Sequence, residues 1–286
     1  MKKKRCLIFG SNGFIAQSFS NNHNLKKKFD IIKFPKQKIN LLKDSCLNKL
    51  DSTIKNGDYI LFLAGEVPCR NLSQLENNVK MITNFLKIVQ KKKISYLSYV
   101  SSDAVYEDTK KKINEKSNVA ANSFHGTMHL IRENLIRKIY KGKLSIFRPT
   151  LIFGSKDPHN GYGPNQFIRL ALKKKKLVLF GKGEEKRDHI HIETVIKILS
   201  HAFFKKKIGT YNIASGKIFS FFLIAKKIEK VILRKKIIIF KKRNGPLHHL
   251  GLRQFNVTKI KKNFKDIKLI NIFDFLDYFD LKEYKK

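Results

Sequence analysis

The chain has 286 residues, of which 42% are hydrophobic, enough for one large or two modest domains with a buried core. No run approaches the roughly 18–20 apolar residues that a membrane span needs, and the apolar stretch behind the basic residues 2–5 is too short for a signal peptide. Three cysteines without a CxxC pair exclude a disulfide scaffold and a thiolate zinc site. We therefore expect no membrane association and a place in the reducing cytoplasm.

The composition is strongly basic, since 61 lysines and arginines against 22 acidic residues give a formal net charge of +39. A surplus of this size is typical of nucleic-acid-binding proteins. The lysines, however, occur in short runs along the whole chain, and with abundant Asn, Ile and Phe they match the codon usage of an AT-rich genome. We therefore expect a solvated basic surface and no specific nucleic-acid partner. A steep salt dependence joined to a sequence preference would indicate the opposite.

The first 150 residues alternate short apolar runs with segments of helical periodicity. The predicted strands cover residues 5–9, 30–34, 58–63, 94–100 and 144–147, and the predicted helices cover 77–91 and 123–140. Strands that alternate with helices imply parallel strands joined by helical crossovers. The predicted fold class is α/β, with a Rossmann-type doubly wound parallel sheet.

After about residue 155 the alternation becomes irregular. A loop rich in turn residues, 157–165, precedes a predicted helix at 166–175 and a strand at 177–180; a helix at 219–233 and a strand at 237–240 follow. We expect His189 and His191 to alternate across a strand, with one of them facing outward. The chain is thus predicted to form a first domain over 1–155 and a smaller α+β domain over 156–286, with a segment at about 188–215 returning to the first.

A glycine turn follows the first strand directly, with the pattern Gly10-x-x-Gly13-x-x-Ala16. Glycines there let the backbone turn sharply and approach a pyrophosphate, which binds the amides at the start of the next helix. The position of the turn favours dinucleotide binding over a plain strand–helix connection. The predicted contacts are Gly10, Ser11, Asn12, Gly13, Phe14 and Ile15.

The end of the second strand indicates which dinucleotide is bound. A carboxylate there accepts the ribose 2′-hydroxyl of NAD, whereas a basic residue pairs with the 2′-phosphate of NADP. Here the strand ends in Phe34-Pro35-Lys36-Gln37-Lys38, and no carboxylate follows until Asp44. We therefore favour NADP over NAD, with Lys36 or Lys38 as the phosphate partner.

With these residues in place, the chain resembles the extended short-chain dehydrogenases/reductases, in the NAD-dependent epimerase/dehydratase branch that modifies nucleotide sugars. The resemblance covers nearly the whole chain, and its pieces come in family order. They are Gly10–Ala16, Asn40-Leu41, Leu63-Ala64-Gly65, Ser101–Tyr106, His125-Gly126, Arg148–Gly154, Gly181–Gly183 with Arg187–Ile192, and Tyr211–Gly216.

The resemblance implies a role for each matching residue. Ser102 would bond the reacting sugar oxygen, and Asp103 stands where the 4,6-dehydratases of the family place an acidic proton donor. Arg187 and Arg243 would contact the nucleotide diphosphate, and Asn165 would bind substrate. Further cofactor contacts are implied at Asn40, Leu41, Leu63, Ala64, Gly65, His129 and Arg148.

One departure concerns the family's Tyr-x-x-x-Lys pair, in which the tyrosine exchanges a proton with the sugar oxygen. The lysine four residues on holds the nicotinamide ribose and lowers the tyrosine pKa. The matching helix segment here begins His125-Gly126, so histidines stand at both positions, His125 and His129. Tyr-x-x-x-Lys occurs elsewhere only at Tyr106…Lys110 and Tyr278…Lys282, off the expected helix.

Three hypotheses follow from this departure. In the first, His125 is the acid/base, because histidine titrates near neutral pH, and His129 donates to the ribose without a lysine's permanent charge. In the second, the site is catalytically degenerate and only binds cofactor or nucleotide sugar. In the third, the two histidines share a metal ion, although no glutamate lies between them and no third ligand is evident, so we assign no metal site.

The sequence thus predicts an NAD(P)-dependent nucleotide-sugar epimerase, dehydratase or reductase that acts through a 4-keto sugar, an oxidoreductase step of a kind used in polysaccharide biosynthesis. The alternative is a dinucleotide- or nucleotide-sugar-binding protein with a sensing or scaffolding role. The resemblance also implies a homodimer that pairs through the two predicted helices at 77–91 and 123–140.

Overall fold

A computed structural model describes residues 3–233, 235–278 and 284. The strands are β1 (Lys4–Phe9), β2 (Phe29–Phe34), β3 (Tyr59–Phe62), β4 (Tyr96–Val100), β5 (Leu144–Pro149), β6 (Leu151–Phe153), β7 (Leu177–Phe180), β8 (Lys186–His191), β9 (Gly209–Ile213), β10 (Ile218–Ser220), β11 (Ile238–Lys241) and β12 (Leu252–Arg253). The helices are α1 (Phe14–Ser20), α2 (His23–Lys28), α3 (Cys46–Thr53), α4 (Leu72–Val89), α5 (Phe124–Ile139), α6 (Pro164–Leu172), α7 (Ile192–Lys205), α8 (Phe221–Ile228), α9 (Thr258–Asn263) and α10 (Ile272–Asp277).

The chain folds into two compact units. The first contains the residues up to 107, 115–149 and 196–212, and the second contains 108–114, 150–195 and the residues from 213 onward. The sequence predicts that the domain over 1–155 binds the cofactor and the domain over 156–286 binds the substrate, and these roles stay a prediction.

The first unit is built on a six-stranded parallel sheet in the order β2-β1-β3-β4-β5-β9, which confirms the predicted Rossmann-type α/β class. Strands β3 and β4 are buried along their whole length, as expected for central parallel strands that are covered on both faces. Helix α4 packs its apolar face on the sheet through residues such as Ile82, Phe85 and Leu86. It begins at Leu72, earlier than predicted, because the Asn71 side chain accepts from the amide of Gln74 and caps the helix.

The second unit surrounds the central strand β8, which pairs with β6 and β12 in parallel and with β10 in antiparallel orientation. A two-stranded parallel pair, β7 and β11, lies beside helices α6 and α8. The predicted helix at 219–233 differs in its start, because residues 218–220 form β10 and the Ser220 hydroxyl caps α8 at the amide of Leu223. After Ile228 the chain continues as a π-turn to Leu233.

The prediction that one of His189 and His191 faces outward was wrong, since both are buried in β8. Residues two apart share one face of a strand, and aromatic side chains cover this face. The His189 ring lies 5.9 Å from that of Phe221, and the His191 ring stacks on Phe275 at 4.8 Å.

The turn after β1 lies at close backbone distance from the loop after β3. Gly10 has φ +81°, and a Cβ added to it would lie 2.6 Å from the backbone nitrogen and Cα of Ala64. Glycine is therefore required at position 10 for two reasons: the backbone has a positive φ, and there is no room for a Cβ atom beside Ala64.

We predict that Gly10→Ala destabilises the protein much more than Gly57→Ala. Gly57 also has a positive φ, +86°, but an added Cβ there meets nothing within 4 Å. The control variant should lose about 1–2 kcal/mol of unfolding free energy through its backbone conformation alone. Gly10→Ala should lose roughly 2 kcal/mol more through the clash with Ala64. Urea unfolding measures both, and equal losses would contradict the close approach.

Candidate active site

Helix α5 brings its first turn against the segment that follows β4. The Ser123 hydroxyl caps the helix by accepting from the amide of Gly126 at 3.1 Å. A Cβ added to Gly126 would lie 2.1 Å from the carbonyl oxygen of Ala104, so only glycine allows this contact. Ala104 belongs to the short 3₁₀ turn 103–105, which follows Ser102. The predicted sugar-contacting residues Ser102 and Asp103 are therefore held next to the start of α5.

His125 lies half-buried in that first turn. Its Nδ1 accepts from the amide of Cys69 at 3.5 Å, and its ring meets the ring of His129 edge to face at 4.7 Å. Burial lowers the pKa of His125, the Asp103 carboxylate opposes this effect, and the Arg132 guanidinium adds to it. His125 is consequently a neutral imidazole at pH 7.

His129 is buried four residues further along the same helix face. Its Nδ1 lies 2.7 Å from the hydroxyl oxygen of Tyr99 on β4. Burial, then the charges of His125 and Arg132, hold the pKa of His129 well below the ordinary value, and burial raises the pKa of Tyr99. Tyr99 therefore keeps its proton and donates to Nδ1, which leaves the single hydrogen of the neutral His129 ring on Nε2.

Within the described residues, no other Tyr-x-x-x-Lys sequence forms a second candidate pair. Tyr106 is buried, and its hydroxyl donates to Oδ1 of Asn212 at 2.7 Å, whereas Lys110 is exposed. Lys282 lies outside the described residues.

The Ser102 hydroxyl accepts from the amide of Ala104 at 3.1 Å, which leaves its own hydrogen available to a ligand.

The predicted cofactor residues gather at the carboxyl ends of β1, β2 and β3. In the glycine turn, Gly13 donates its amide to the carbonyl of Gly10 at 3.2 Å, and α1 begins at Phe14. Ser11 is buried, whereas Asn12 is exposed and Ile15 half-buried. The turn therefore has the backbone shape that the prediction required.

The loop after β3 contributes Leu63, Ala64 and Gly65. The amide of Leu63 donates to the carbonyl of Phe9 at 2.9 Å and extends the β1–β3 pairing, while the Ala64 carbonyl accepts from Arg132 at 2.8 Å. The two loops at this sheet edge are thus held at backbone distance from each other.

The segment after β2 is basic. Lys36 lies 3.9 Å from the Glu66 carboxylate, and an open pocket beside it also contains Lys38, Lys43 and Lys49. The Asn40 side chain in this pocket accepts from the amide of Leu42 at 3.1 Å. Leu41 itself is buried, and its carbonyl accepts from Asn84 at 3.0 Å.

Arg148 stands at the end of β5 in a buried ion pair. It donates from Nε and Nη2 to the two carboxylate oxygens of Glu133 at 2.8 and 2.6 Å, and its guanidinium lies 4.8 Å from the ring centre of Tyr106. The Ser101 hydroxyl donates to the same carboxylate at 2.6 Å. The pair joins β5 to α5 in a bidentate geometry and fixes the helix that carries the histidines.

In the second unit, the predicted diphosphate-binding residues Arg187 and Arg243 share the carboxylate of Glu185. Arg187 pairs with one oxygen of this buried carboxylate, and Arg243 lies 3.4 Å from the other. Arg187 also donates to the carbonyl of His248 at 3.0 Å. The structure thus brings both arginines to one place, where an acidic residue already neutralises part of their charge.

Asn165, the other predicted substrate residue, is buried at the start of α6. Its Oδ1 accepts from the amide of Gly154 at 3.0 Å, and its Nδ2 donates to the Asp157 carboxylate. The side chain therefore organises the loop that precedes α6.

Sequence reasoning missed four residues of these two clusters: Cys69, Tyr99, Arg132 and Glu185. Helical spacing alone could have found Arg132, because it lies seven residues after His125 and so on the same face of α5. Tyr99 lies within a buried strand and carried no signal beyond its apolar ring.

Among the described residues, no group of three or more His, Cys, Asp or Glu side chains could hold a metal ion. In the same part of the chain, no helix is both long and apolar enough to cross a membrane.

Comparison with known proteins gives a family match and a common fold. Residues 6–214 match the NAD dependent epimerase/dehydratase family. The chain is 23% identical over 257 residues to a Bacillus subtilis (strain 168) protein named uncharacterized UDP-glucose epimerase YtcB, covering 84% of this chain and 78% of that protein. It is 27% identical over 235 residues to dTDP-D-glucose 4,6-dehydratase of Dictyostelium discoideum, covering 73% of this chain and 52%, about half, of that protein.

Two solved structures illustrate the shared fold. UDP-glucuronic acid 4-epimerase from Bacillus cereus, in complex with UDP-glucuronic acid and NAD, has a TM-score of 0.82 at 20% identity and 98% coverage of both chains. dTDP-glucose 4,6-dehydratase from Bacillus anthracis, in complex with NAD, has a TM-score of 0.79 at 18% identity, with 96% and 94% coverage of this chain and that one. The fold of the chain is therefore that of these enzymes.

We predict that buried His189 makes the stability of the protein depend on pH. Burial, with a smaller contribution from Arg187, lowers its pKa to about 3, while a histidine in the unfolded chain titrates near 6.5. The unfolded state binds the extra proton between these values, so the stabilisation is complete above pH 6.5 and is lost as the pH falls toward 3. At pH 5 the loss from this histidine should be about 2 kcal/mol.

Urea unfolding at pH 7.5 and pH 5 measures this loss. His189→Phe should reduce the difference between the two unfolding free energies by about 2 kcal/mol. His159→Phe, at an exposed histidine of the same unit, should leave the difference at its wild-type size. An unchanged difference in His189→Phe would contradict a neutral, buried imidazole.

Proposed function

The chain belongs to the NAD-dependent epimerase/dehydratase family, and from this premise we propose that it is a cytoplasmic enzyme that modifies a nucleotide sugar through a 4-keto intermediate. Epimerisation, dehydration and reduction all begin from or pass through such an intermediate. His125 takes the place of the family's tyrosine as proton acceptor and donor, and His129 takes the place of the lysine.

The observation that carries this proposal is the surroundings of His125. A neutral imidazole is held in the first turn of α5, against the turn that contains Ser102 and Asp103. A neutral imidazole is a competent general base at pH 7, since its free lone pair can accept a proton from a sugar hydroxyl. The Ser102 hydroxyl has a hydrogen left to donate to the same sugar oxygen.

The tautomer of His125 follows from its contact with Cys69. With Nδ1 accepting from that amide, the neutral ring carries its hydrogen on Nε2. To accept a proton on Nε2, the ring must move this hydrogen to Nδ1 and give up a contact that, at 3.5 Å, is already long. The change costs about the 0.5–1.5 kcal/mol of one hydrogen bond, which is small beside a catalytic barrier.

The residues at the edge of the sheet fit a dinucleotide. A Cβ at Gly10 would fill the space between the two loops, and Nε2–H of His129 is the donor that a ribose hydroxyl requires. The bound dinucleotide would accept the hydride from the sugar carbon and return it. We propose NADP as this dinucleotide, because Lys36, Lys38, Lys43 and Lys49 surround the position after β2 where a 2′-phosphate is read. NAD, the cofactor in the family's name, is the alternative.

The roles of the remaining residues belong to the same proposal. Arg187 and Arg243 bind the nucleotide diphosphate of the substrate, and Asn165 shapes the loop beside α6 for it. Arg148 acts by holding Glu133 and thereby α5, and Asp103 assists proton transfer at the sugar.

We also propose a homodimer. An apolar groove on α4 and α5, lined by Leu75, Val79 and Ile131, offers the face through which two copies would pack. Sedimentation of the native protein decides this point, since a monomer at all concentrations would contradict it.

A catalytically degenerate binding protein is the second candidate function, and one observation favours it. The buried, neutral His129 lacks the permanent charge of a lysine. Such a protein would bind the dinucleotide or the nucleotide sugar and carry out no hydride transfer.

We predict that His125→Gln abolishes turnover and leaves dinucleotide binding intact. Glutamine keeps hydrogen-bonding capacity but cannot exchange a proton, so kcat should fall by roughly 10²–10⁴-fold, the usual contribution of general acid–base catalysis. The Kd for NADP(H), from the quenching of its fluorescence, should change less than about twofold. His23→Gln, on the exposed helix α2, is the matched control and should retain wild-type kcat.

Retained turnover in His125→Gln would exclude this residue as the proton-transfer group. Dinucleotide binding without turnover of any nucleotide sugar by the wild-type protein would favour the degenerate binder.

A further inference from the structure

Arg132 shares one face of α5 with both histidines. It follows His125 by seven residues and His129 by three, the spacing of a single helical face. Its side chain is only 2% exposed, so this guanidinium belongs to the interior of the first unit. An arginine at such a position needs an explanation, because arginine is almost never fully buried without a partner.

The hydrogen-bond partners of Arg132 are uncharged: they are Asn78, the backbone of Ala64 and the Tyr99 hydroxyl. Nε and Nη2 donate to the carbonyl of Asn78 at 3.0 and 2.8 Å, Nη2 also donates to Oδ1 of Asn78, and Nη1 donates to the carbonyl of Ala64 at 2.8 Å. The guanidinium carbon lies 5.8 Å from the centre of the Phe62 ring. The hydrogen bonds fix the guanidinium in place without cancelling its charge.

Within residues 3–233, 235–278 and 284, no carboxylate lies within ion-pair distance of Arg132. Its sequence neighbour Glu133 is bound by Arg148 through both oxygens, and by Arg137 at 3.3 Å. A full positive charge therefore remains in the interior, and surrounding water screens it little.

The groups that face this charge are those of the candidate site. His125 and His129 face it from α5, Tyr99 from β4, and Cys69 from the loop before α4; the charge lowers the pKa of both histidines. Two carboxylates act in the opposite direction. Asp103, from the turn after β4, raises the pKa of His125, and Glu133 raises the pKa of Tyr99. Burial and Arg132 together outweigh Asp103, since the net direction for His125 is downward.

We propose that Arg132 is the fixed cation of this site, a positioning residue on the same face of α5 as His125 and His129 that supplies the permanent positive charge that neither histidine can. Its consequence for the reaction rests on the proposed function. In the proposed reaction the sugar hydroxyl would give its proton to His125, the carbon that bears this hydroxyl would give its hydride to the dinucleotide, and an imidazolium would form close to Arg132. Repulsion between the two cations favours return of that proton in the second half of the reaction.

The proposal is tested on the ligand-free protein by NMR titration of the His125 ring, assigned through its disappearance in His125→Gln. In the wild type, His125 should titrate below 6.5. Arg132→Met should raise its midpoint, and Arg132→Lys, which keeps the charge, should restore most of the wild-type value. Arg137→Met is the matched control on the same helix, since its charge is part-exposed and bound to Glu133, and it should leave the midpoint unchanged.

Two results would overturn the proposal. One is a wild-type His125 midpoint at or above 6.5, a result that does not depend on whether Arg132→Met folds. The other is an equal midpoint in Arg132→Met and Arg137→Met. The NMR titration needs no turnover, so its outcome is independent of the activity test. It can contradict the role of Arg132 while His125→Gln still abolishes activity, and it can agree with that role while His125→Gln remains active. In turnover, Arg132→Met should move the acidic limb of the kcat profile to higher pH and Arg137→Met should not.

Discussion

The backbone contact between Gly10 and Ala64 is the constraint on which the rest of the first unit depends. It exists because β1 and β3 are neighbouring parallel strands whose carboxyl ends meet at one edge of the sheet. The contact fixes the direction of the Ala64 carbonyl, which accepts from Arg132, and so places the charged face of α5. The turn proposed to bind the dinucleotide and the helix face proposed to transfer the proton are thereby connected through Ala64.

The site separates two properties that a tyrosine–lysine pair combines. In the proposed mechanism, His125, a neutral imidazole in the first turn of α5, exchanges the proton, and Arg132, seven residues further on, supplies the positive charge. His129 lies between them and, bound to Tyr99, presents one hydrogen from Nε2. A histidine base works at lower pH than a phenol, and a buried arginine stays charged at any pH at which the protein folds.

The apolar runs and the glycine spacing in the sequence predicted the elements that depend on interactions between residues close together in the chain. The runs that became β1, β3 and β4 are largely apolar central strands, and the glycine turn after β1 was located by spacing alone. Three features could not be predicted, for physical reasons. The aromatic side chains that bury His189 and His191 come next to them only on folding, so a single sequence does not show them. The same holds for Glu185, which joins Arg187 to Arg243, 56 residues further along the chain than Arg187. Arg132 escaped because charged residues on helices usually face water.

The central claim, that an imidazole performs the proton chemistry of hydride transfer here, is tested most directly by a single-turnover experiment. The native protein, loaded with NADP⁺ or NAD⁺, is mixed with UDP- and dTDP-hexoses deuterated at C4, and deuterium in the dinucleotide is followed by mass spectrometry from pH 5 to pH 9. The account predicts transfer whose rate rises through one midpoint below 6.5 and is then constant. A rate that still rises above pH 8, as a phenol base would give, or a dinucleotide without deuterium for every hexose, would contradict it.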